Sequence, residues 1–412
     1  MNNPFTSKLF TSTWLTYFER QKAETSFDFI KNLTFYKHHT FPFYVNVGKN
    51  LTKGLDYEID YAAKDYKNKV CLIYDVPEYF QLDELDIKNT KIRCKKVFQY
   101  KGFALDFKDF ETPDDYIASR ISSKNRRGYR SRLKRLEACF DIRYSFLFGQ
   151  TDRTEYDHLF QQFHDLLSKR FIEKEMDYHH LEPKKWEFYT ELVYKMIQEK
   201  KASLFVIYNG DKPIGVTLNF HSDEIAFVTI TVFDPDYYKF NVGKASIVKL
   251  LEWCYEQGIK IMDLSKGAFD FKYEWCNLVY QFDYHILYDS QSIKSRITAR
   301  LLVQYFKTKL YLRKKGANQW YRKQLHKMKS GKQEQLDFSK LQLEYVENSN
   351  ITDAIVKLDM DDPKNDKMKK FLYSFLFLNP EPEHDVTLFE DPSAKCHFIQ
   401  GKDKTQKISF KS

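Results

Sequence analysis

Phe233-Asp234-Pro235-Asp236-Tyr237-Tyr238-Lys239-Phe240-Asn241-Val242-Gly243-Lys244-Ala245 is the stretch on which the fold turns. The apolar run Ile225–Phe233 leading into it reads as a strand. The stripe Ile247, Leu250, Leu251, Cys254 and Tyr255 beyond it reads as a helix from near Asn241 to Gly258. A strand, a short loop and a helix start leave the amides of the first helical turn pointing outward with partial positive charge, which suits a diphosphate. Gly243 would let a phosphate approach the backbone, and Lys244 would add a charge. The same glycine could also do no more than ease close packing of the loop.

Outward from this corner, the pattern predicts a strand at Ile142–Phe148 and helices near Thr154–Phe171 and Pro183–Glu199. Strands follow at Ser203–Tyr208, Ile214–His221, Ile259–Leu264 and Val279–Leu287, with a turn at Asn209-Gly210. The order β-α-α-β-β-β-α-β-β predicts a mixed sheet with helices on both faces, an α/β (α+β) class. Residues 1–110 carry weaker signals: strands at Phe41–Val47, Val70–Tyr74 and Phe103–Phe107 and a helix at Thr13–Arg20, read as a second α/β lobe. The expected organisation is an N-terminal lobe over 1–140 with a basic helix at 114–138, and a second lobe over 141–290. A basic amphipathic helical arm over 291–330 and a polar acidic tail over 331–412, with one short helix near Asp366–Phe377, complete it.

The 412 residues include 36 Phe, 29 Tyr and 5 Trp, and 42% are apolar, so a wholly disordered chain is excluded. Phe371–Leu378, the longest apolar run, is too short to span a bilayer, and Met1–Phe18 lacks the apolar run of a secretory signal. Six scattered cysteines suit reduced thiols in a cytoplasmic protein, and His179-His180, without further spaced ligands, reads as loop; no metal is expected. The net charge is +9, yet the residues from Gly331 onward balance to −3, so residues 1–330 carry +12. That excess implies an anionic partner.

Two blocks hold it. Arg120–Leu136 has eight cations and no acid, with Arg126, Arg130 and Lys134 at i, i+4 spacing. It reads either as a clamp for a phosphorylated acceptor, a polyanionic glycan or tRNA, or as a solvated helix. Ser292–Ser330 has twelve cations and no acid, interleaved with Leu302, Tyr305, Phe306 and Leu310. It fits an anionic membrane surface or RNA, or a helix packing its apolar stripe on the second lobe with cations outward.

Taken together these segments resemble the GNAT superfamily of N-acyltransferases. Phe240-Asn241-Val242-Gly243-Lys244-Ala245 is similar to its phosphate loop, Gln/Arg-x-x-Gly-x-Gly/Ala, with Phe240 where Gln or Arg is usual. Within it the chain resembles the bacterial branch of Fem-type aminoacyltransferases and polysaccharide-cluster acetyltransferases. The entry Phe10-Thr11-Ser12-Thr13-Trp14-Leu15, the basic run Arg126–Glu137, Arg170, Asp263-Leu264-Ser265-Lys266-Gly267 and Phe271-Lys272-Tyr273-Glu274-Trp275 carry that likeness over about residues 10–290. The resemblance implies two GNAT-like lobes and acetyl-CoA or another acyl-CoA as donor. The donor would be bound by Val232, Phe233, Asn241, Val242, Gly243, Lys244 and Ala245, between splayed strands 225–233 and 259–264.

Acyl transfer to an amine needs a base to take its proton and a donor to meet the leaving thiolate. His221, Asp234, Asp236 and Asp263 are candidates for the first, and Tyr237 or Tyr238 for the second. Lys272 beside Gly267 would steady an oxyanion or bind substrate. The catalytic set expected is Lys272, Tyr238 and Asp234, with the acceptor near Arg126, Arg130, Arg170 and Gly267. The acceptor would be a small molecule, sugar or cell-envelope precursor, attacked directly in the cytoplasm or at the inner membrane surface. DNA is not expected. The rivals are an aminoacyl-tRNA-dependent transferase and a non-catalytic surface-binding protein.

Overall fold

A computed structural model describes residues 2–80, 91–315, 341–346, 355–360, 362–394 and 396–410. In chain order the first strands are β1 (Thr25–Phe27), β2 (Ile30–Lys37), β3 (Tyr44–Asn46), β4 (Glu58–Ile59), β5 (Val70–Pro77) and β6 (Ile92–Asp106). They are followed by β7 (Ile142–Leu147), β8 (Ala202–Asn209), β9 (Lys212–His221), β10 (Ile225–Phe233), β11 (Ile261–Lys266) and β12 (Leu278–Asp289). These twelve form one mixed sheet in the order β1-β2-β3-β5-β12-β6-β11-β10-β9-β8-β7, with β4 on β2.

The sheet is continuous because the two lobes exchange strands. β12, from the second, lies antiparallel between β5 and β6 of the first, and β6 also pairs with β11. The mixed α/β class therefore holds, with both lobes sharing one sheet. Period-two alternation sends Leu204 and Val206 of β8 to one face and Phe205 and Ile207 to the other. The helices are α1 (Lys8–Phe18), α2 (Pro113–Arg120), α3 (Ser123–Cys139), α4 (Arg153–Glu173), α5 (Pro183–Gln198), α6 (Val242–Glu256), α7 (Asp270–Trp275) and α8 (Ile293–Lys314). α1, α4, α5 and α8 share one core, and α2, α6 and the end of α7 another.

Two expectations are corrected. The basic helix of 114–138 is two helices, because Ser122 caps α3 through the Asn125 amide and the turn buries Ile121. The segment read as an acidic tail is a folded unit. Strands β13 (Leu341–Val346), β14 (Val356–Lys357), β15 (Thr387–Asp391), β16 (Cys396–Gln400) and β17 (Thr405–Phe410) form an antiparallel sheet in the order β13-β17-β16-β15-β14. The expected helix is present as α9 (Asp366–Leu378). Its Leu372, Tyr373, Phe375 and Leu376 pack with Leu388, Ile399 and Ile408 of that sheet and with Phe140, Tyr237 and Phe240 of the body. The helix of the 291–330 arm is α8, and the rest of the arm lies outside the described residues.

Candidate functional site

β10 and β11 run parallel for only three pairs, Ile225↔Ile261, Ala226↔Met262 and Phe227↔Asp263, and then part. β10 continues to Phe233 against β9, its register shifting between Val228 and Ile230. β11 continues to Lys266 against β6, with a shift between Asp263 and Lys266. Ser265 (φ 57°) and Gly267 (φ 103°) take left-handed backbone in that bend. A side chain at 267 would also meet the Phe269 ring at 2.8 Å, so glycine is required there. Carboxyl ends of parallel strands that diverge are a common place for a ligand in α/β sheets.

A buried polar group occupies the vertex. Asp263 Oδ2 accepts from Tyr79 at 2.8 Å and Tyr280 at 2.6 Å, and its Oδ1 from the Ser265 amide at 2.6 Å. Burial pushes the Asp263 carboxyl up, opposed by those hydrogen bonds. A second buried carboxylate, Asp75, accepts from Thr52 at 2.8 Å, Gln99 at 2.8 Å and Tyr100 at 2.7 Å.

Lys53 lies within the electrostatic reach of both carboxylates. It is buried and has no hydrogen-bond partner among the described residues. Burial brings its ammonium down to about 7; Lys266 and Lys272 push the same way, and Asp75 and Asp263 oppose them. The adjoining Gly54 lies against the Phe227 ring, at the parting itself. His180 is also buried, its Nδ1 unpartnered among the described residues, and burial and Lys53 hold its pKa well below the usual range.

The expected catalytic set is not assembled. Lys272 donates to the carbonyls of Leu264 at 2.7 Å, Ser265 at 3.2 Å and Lys266 at 2.7 Å. An ammonium has three donors, so this group is spent on holding the bend and has none for an oxyanion. Burial lowers it to about 8, with Asp263 opposing. Tyr238 is 55% exposed. Asp234 is buried and accepts from Lys169 Nζ at 2.8 Å and the Asp236 amide at 3.1 Å, and Lys169 also donates to Asp236 at 2.6 Å. Burial pushes the Asp234 carboxyl up, but Lys169 holds it below its ordinary value. That carboxylate fixes the corner and is poorly placed to take a proton. Lys169→Met should cost about 2 kcal/mol of unfolding free energy, allowing for the partial exposure of the lysine. Urea denaturation measures it.

The corner before α6 differs from the expectation too. Asn241 is left-handed (φ 57°), and its carbonyl takes the amides of Lys244 at 2.8 Å and Ala245 at 3.2 Å. The amides of Val242 and Gly243 stay unpartnered among the described residues. A Cβ on Gly243 would meet the Phe233 ring at 2.7 Å, so that ring fills the space expected for a phosphate. Arg170 stacks on the same ring at 4.1 Å, and its guanidinium has no hydrogen bond among the described residues. Lys244 donates to Tyr129 at 2.6 Å and Glu274 at 3.1 Å. Phe240 is buried against Phe140 at 5.2 Å and Phe377 at 5.3 Å. Val232 and Ala245 are buried nearby.

On the basic helices, Arg126 donates to the carbonyls of Ala118 at 3.0 Å and Ile121 at 2.9 Å and so caps the end of α2 rather than a ligand. Arg130 pairs with Asp114 at 3.2 Å on the surface, an exchangeable contact. With Arg127, Ser131, Lys134 and Arg135 it lines a cavity of about 390 Å³.

Lys53, Asp75, Tyr79 and Tyr280 escaped the sequence reading, since no local pattern marks them, and His180 was read only as loop. Asp263 was a candidate base and stands at the vertex. Among the described residues no group of His, Cys, Asp and Glu is gathered to hold a metal, all six cysteines are free, and no helix is long and apolar enough to cross a membrane.

Residues 123–273 match the family described as the acetyltransferase (GNAT) domain. Similar solved structures include FemX, 11% identical over 68% of this chain and 91% of its own, with a TM-score of 0.47. A conserved protein of unknown function from Bacteroides thetaiotaomicron VPI-5482 is 10% identical over 70% and 92%, at 0.44. L-PGS from Bacillus licheniformis is 13% identical over 71% and 91%, at 0.40. No curated protein matches the sequence.

Proposed function

For a chain whose residues 123–273 carry a GNAT acetyltransferase domain, we propose acyl transfer to an amine or hydroxyl acceptor by direct attack where β10 and β11 part. The observation that carries this reading is Lys53, a buried lysine with no hydrogen-bond partner among the described residues, close enough to Asp75 and Asp263 to feel both charges, with a pKa brought to about 7. Near neutrality a large share of it is the free base. Its Nζ takes the proton of the acceptor as the acceptor nitrogen or oxygen bonds to the acyl carbon. The tetrahedral centre then collapses, the bond to the donor's leaving group breaks, and the Lys53 ammonium returns the proton to that group. Asp263, fixed by two tyrosines, is a positioning group. The acceptor favoured is a phosphorylated sugar or a cell-envelope precursor, in keeping with the exposed cation Arg127.

For the donor, an acyl-CoA would lay its arm along β10 beyond Phe227, with its diphosphate toward the amides of Val242 and Gly243, unpartnered among the described residues, and toward Arg170. The Phe233 ring would have to swing from Gly243. Phe233→Ala is therefore expected to tighten CoA binding by about tenfold, the cost of displacing one packed ring, measured by calorimetric titration. A second reading, aminoacyl-tRNA as donor, is favoured by the commitment of Lys244 to Glu274 and Tyr129, which removes the loop's own cation. Salt-dependent tRNA retention, with no CoA binding even in the Phe233→Ala protein, would select it.

A further inference from the structure

We infer that the outward face of α8 docks the protein on an anionic bilayer surface. The helix has two apolar faces, and among the described residues the body covers only one. Ser295, Ala299, Leu302 and Phe306 are buried, and the Phe306 ring stacks on Tyr284 at 3.9 Å, which fixes the rotation of the helix. Arg313 also turns inward, to the carbonyl of Gln99. With that face seated, Ile293, Ile297, Leu301 and Tyr305 are left 65%, 52%, 66% and 60% exposed. They recur every fourth residue. At about 100° per residue this spacing drifts only about 40° per step, so the stripe stays on one side for three turns. Tyr311 and Leu312, also exposed, extend it.

The charges around this stripe select its partner. Residues 293–315 contain eight cations (Lys294, Arg296, Arg300, Lys307, Lys309, Arg313, Lys314 and Lys315) and no acid. By the same helical arithmetic Arg296, Arg300, Lys307 and Lys314 run along one flank of the stripe, Lys309 lies on the other, and Lys294 falls within it. Their long stems let the charged ends reach lipid phosphates while the aliphatic side chains enter the acyl boundary. A second copy of this chain would bring a face of the same sign and be repelled. An RNA backbone would satisfy the cations and leave Ile293, Ile297 and Leu301 in water. A helix of this composition lies in the plane of the interface and does not cross it.

The test is flotation of the full chain with vesicles of phosphatidylcholine alone or mixed with phosphatidylglycerol. Binding to the mixed vesicles is expected to exceed binding to phosphatidylcholine at least about tenfold and to weaken with salt. Ile297→Asp with Leu301→Asp should lower it by a further factor of about thirty at an unchanged melting temperature, because both side chains are exposed. Arg300→Glu with Lys307→Glu should also weaken it. Equal vesicle binding by the parent and Asp variants, or no vesicle binding by the parent chain, overturns the inference. So does a dimer, or an RNA complex, that forms through this face in place of vesicle binding and is lost in the Asp variant.

Discussion

Lys53→Met should lower kcat/KM for acyl transfer by about 10²–10⁴-fold while leaving the fold intact, the range expected when a positioned base is removed. Methionine keeps the length and apolar stem of lysine, so the packing of the buried stem survives. For the parent chain, kcat/KM should rise with pH through about 7 and level off above it, since the free amine of Lys53 is the active form. The same group leaves a mark on stability. Its pKa in the folded chain, about 7, lies below the ordinary lysine value, so between the two the unfolded chain binds one more proton. Stability from this group is therefore complete above the ordinary lysine value and is lost as pH falls through about 7. Lys53→Met removes that slope and should be more stable than the parent at pH 6 by roughly 2 kcal/mol, because a desolvated charge is no longer held in the core. Urea denaturation at several pH values, beside the rate profile, checks both halves. A variant that is slower and less stable at every pH would make Lys53 a structural residue.

The second large effect is expected at Phe240, which stands where the GNAT phosphate loop usually carries Gln or Arg. Restoring the family's cation with Phe240→Arg should destabilise the protein by about 3–5 kcal/mol, as removal of a buried aromatic together with burial of an unpaired charge does. The side chain at 240 points between Phe140 and Phe377, into the core that the C-terminal unit shares with the body, and away from any open phosphate site. CoA affinity should not rise. Chemical denaturation and a CoA titration on the same preparation separate the outcomes. A stable Phe240→Arg protein that binds CoA more tightly would mean that the C-terminal unit does not pack on the corner.

The body of the sheet was legible because its elements are long and strongly periodic. The expected helix near Thr154–Phe171 is Arg153–Glu173, and the expected turn at Asn209-Gly210 closes β8 and β9, with Gly210 at φ 57°. The C-terminal sheet was not legible. Its strands are five or six residues at most, and polar residues fall on the core face too (Glu390 beside Leu388, His397 opposite Ile408), so Leu388, Ile399 and Ile408 do not stand out as a face. The continuity of the great sheet was equally hidden, since nothing local to Leu278–Asp289 says that it pairs with both β5 and β6. At the corner, spacing identified a strand, a glycine and a helix start correctly. What fills the space over Gly243 depends on the rotamer of Phe233 and on Arg170 in α4, neither of which local sequence specifies. Lys53 was missed for the same reason: its burial comes from strands far away in the chain.

The most direct measurement is a crystal structure with a nonreactive analogue of the donor that the binding titrations select, CoA thioether or aminoacyl-nucleotide. The analogue of the acyl carbon should lie between β10 and β11, beside Phe227 and Asp263, within about 4 Å of Lys53 Nζ, close enough for transfer directly or through one water. An acyl analogue held outside the parting, beside Tyr238 or at Arg130, would contradict the assignment of the reaction to this crevice.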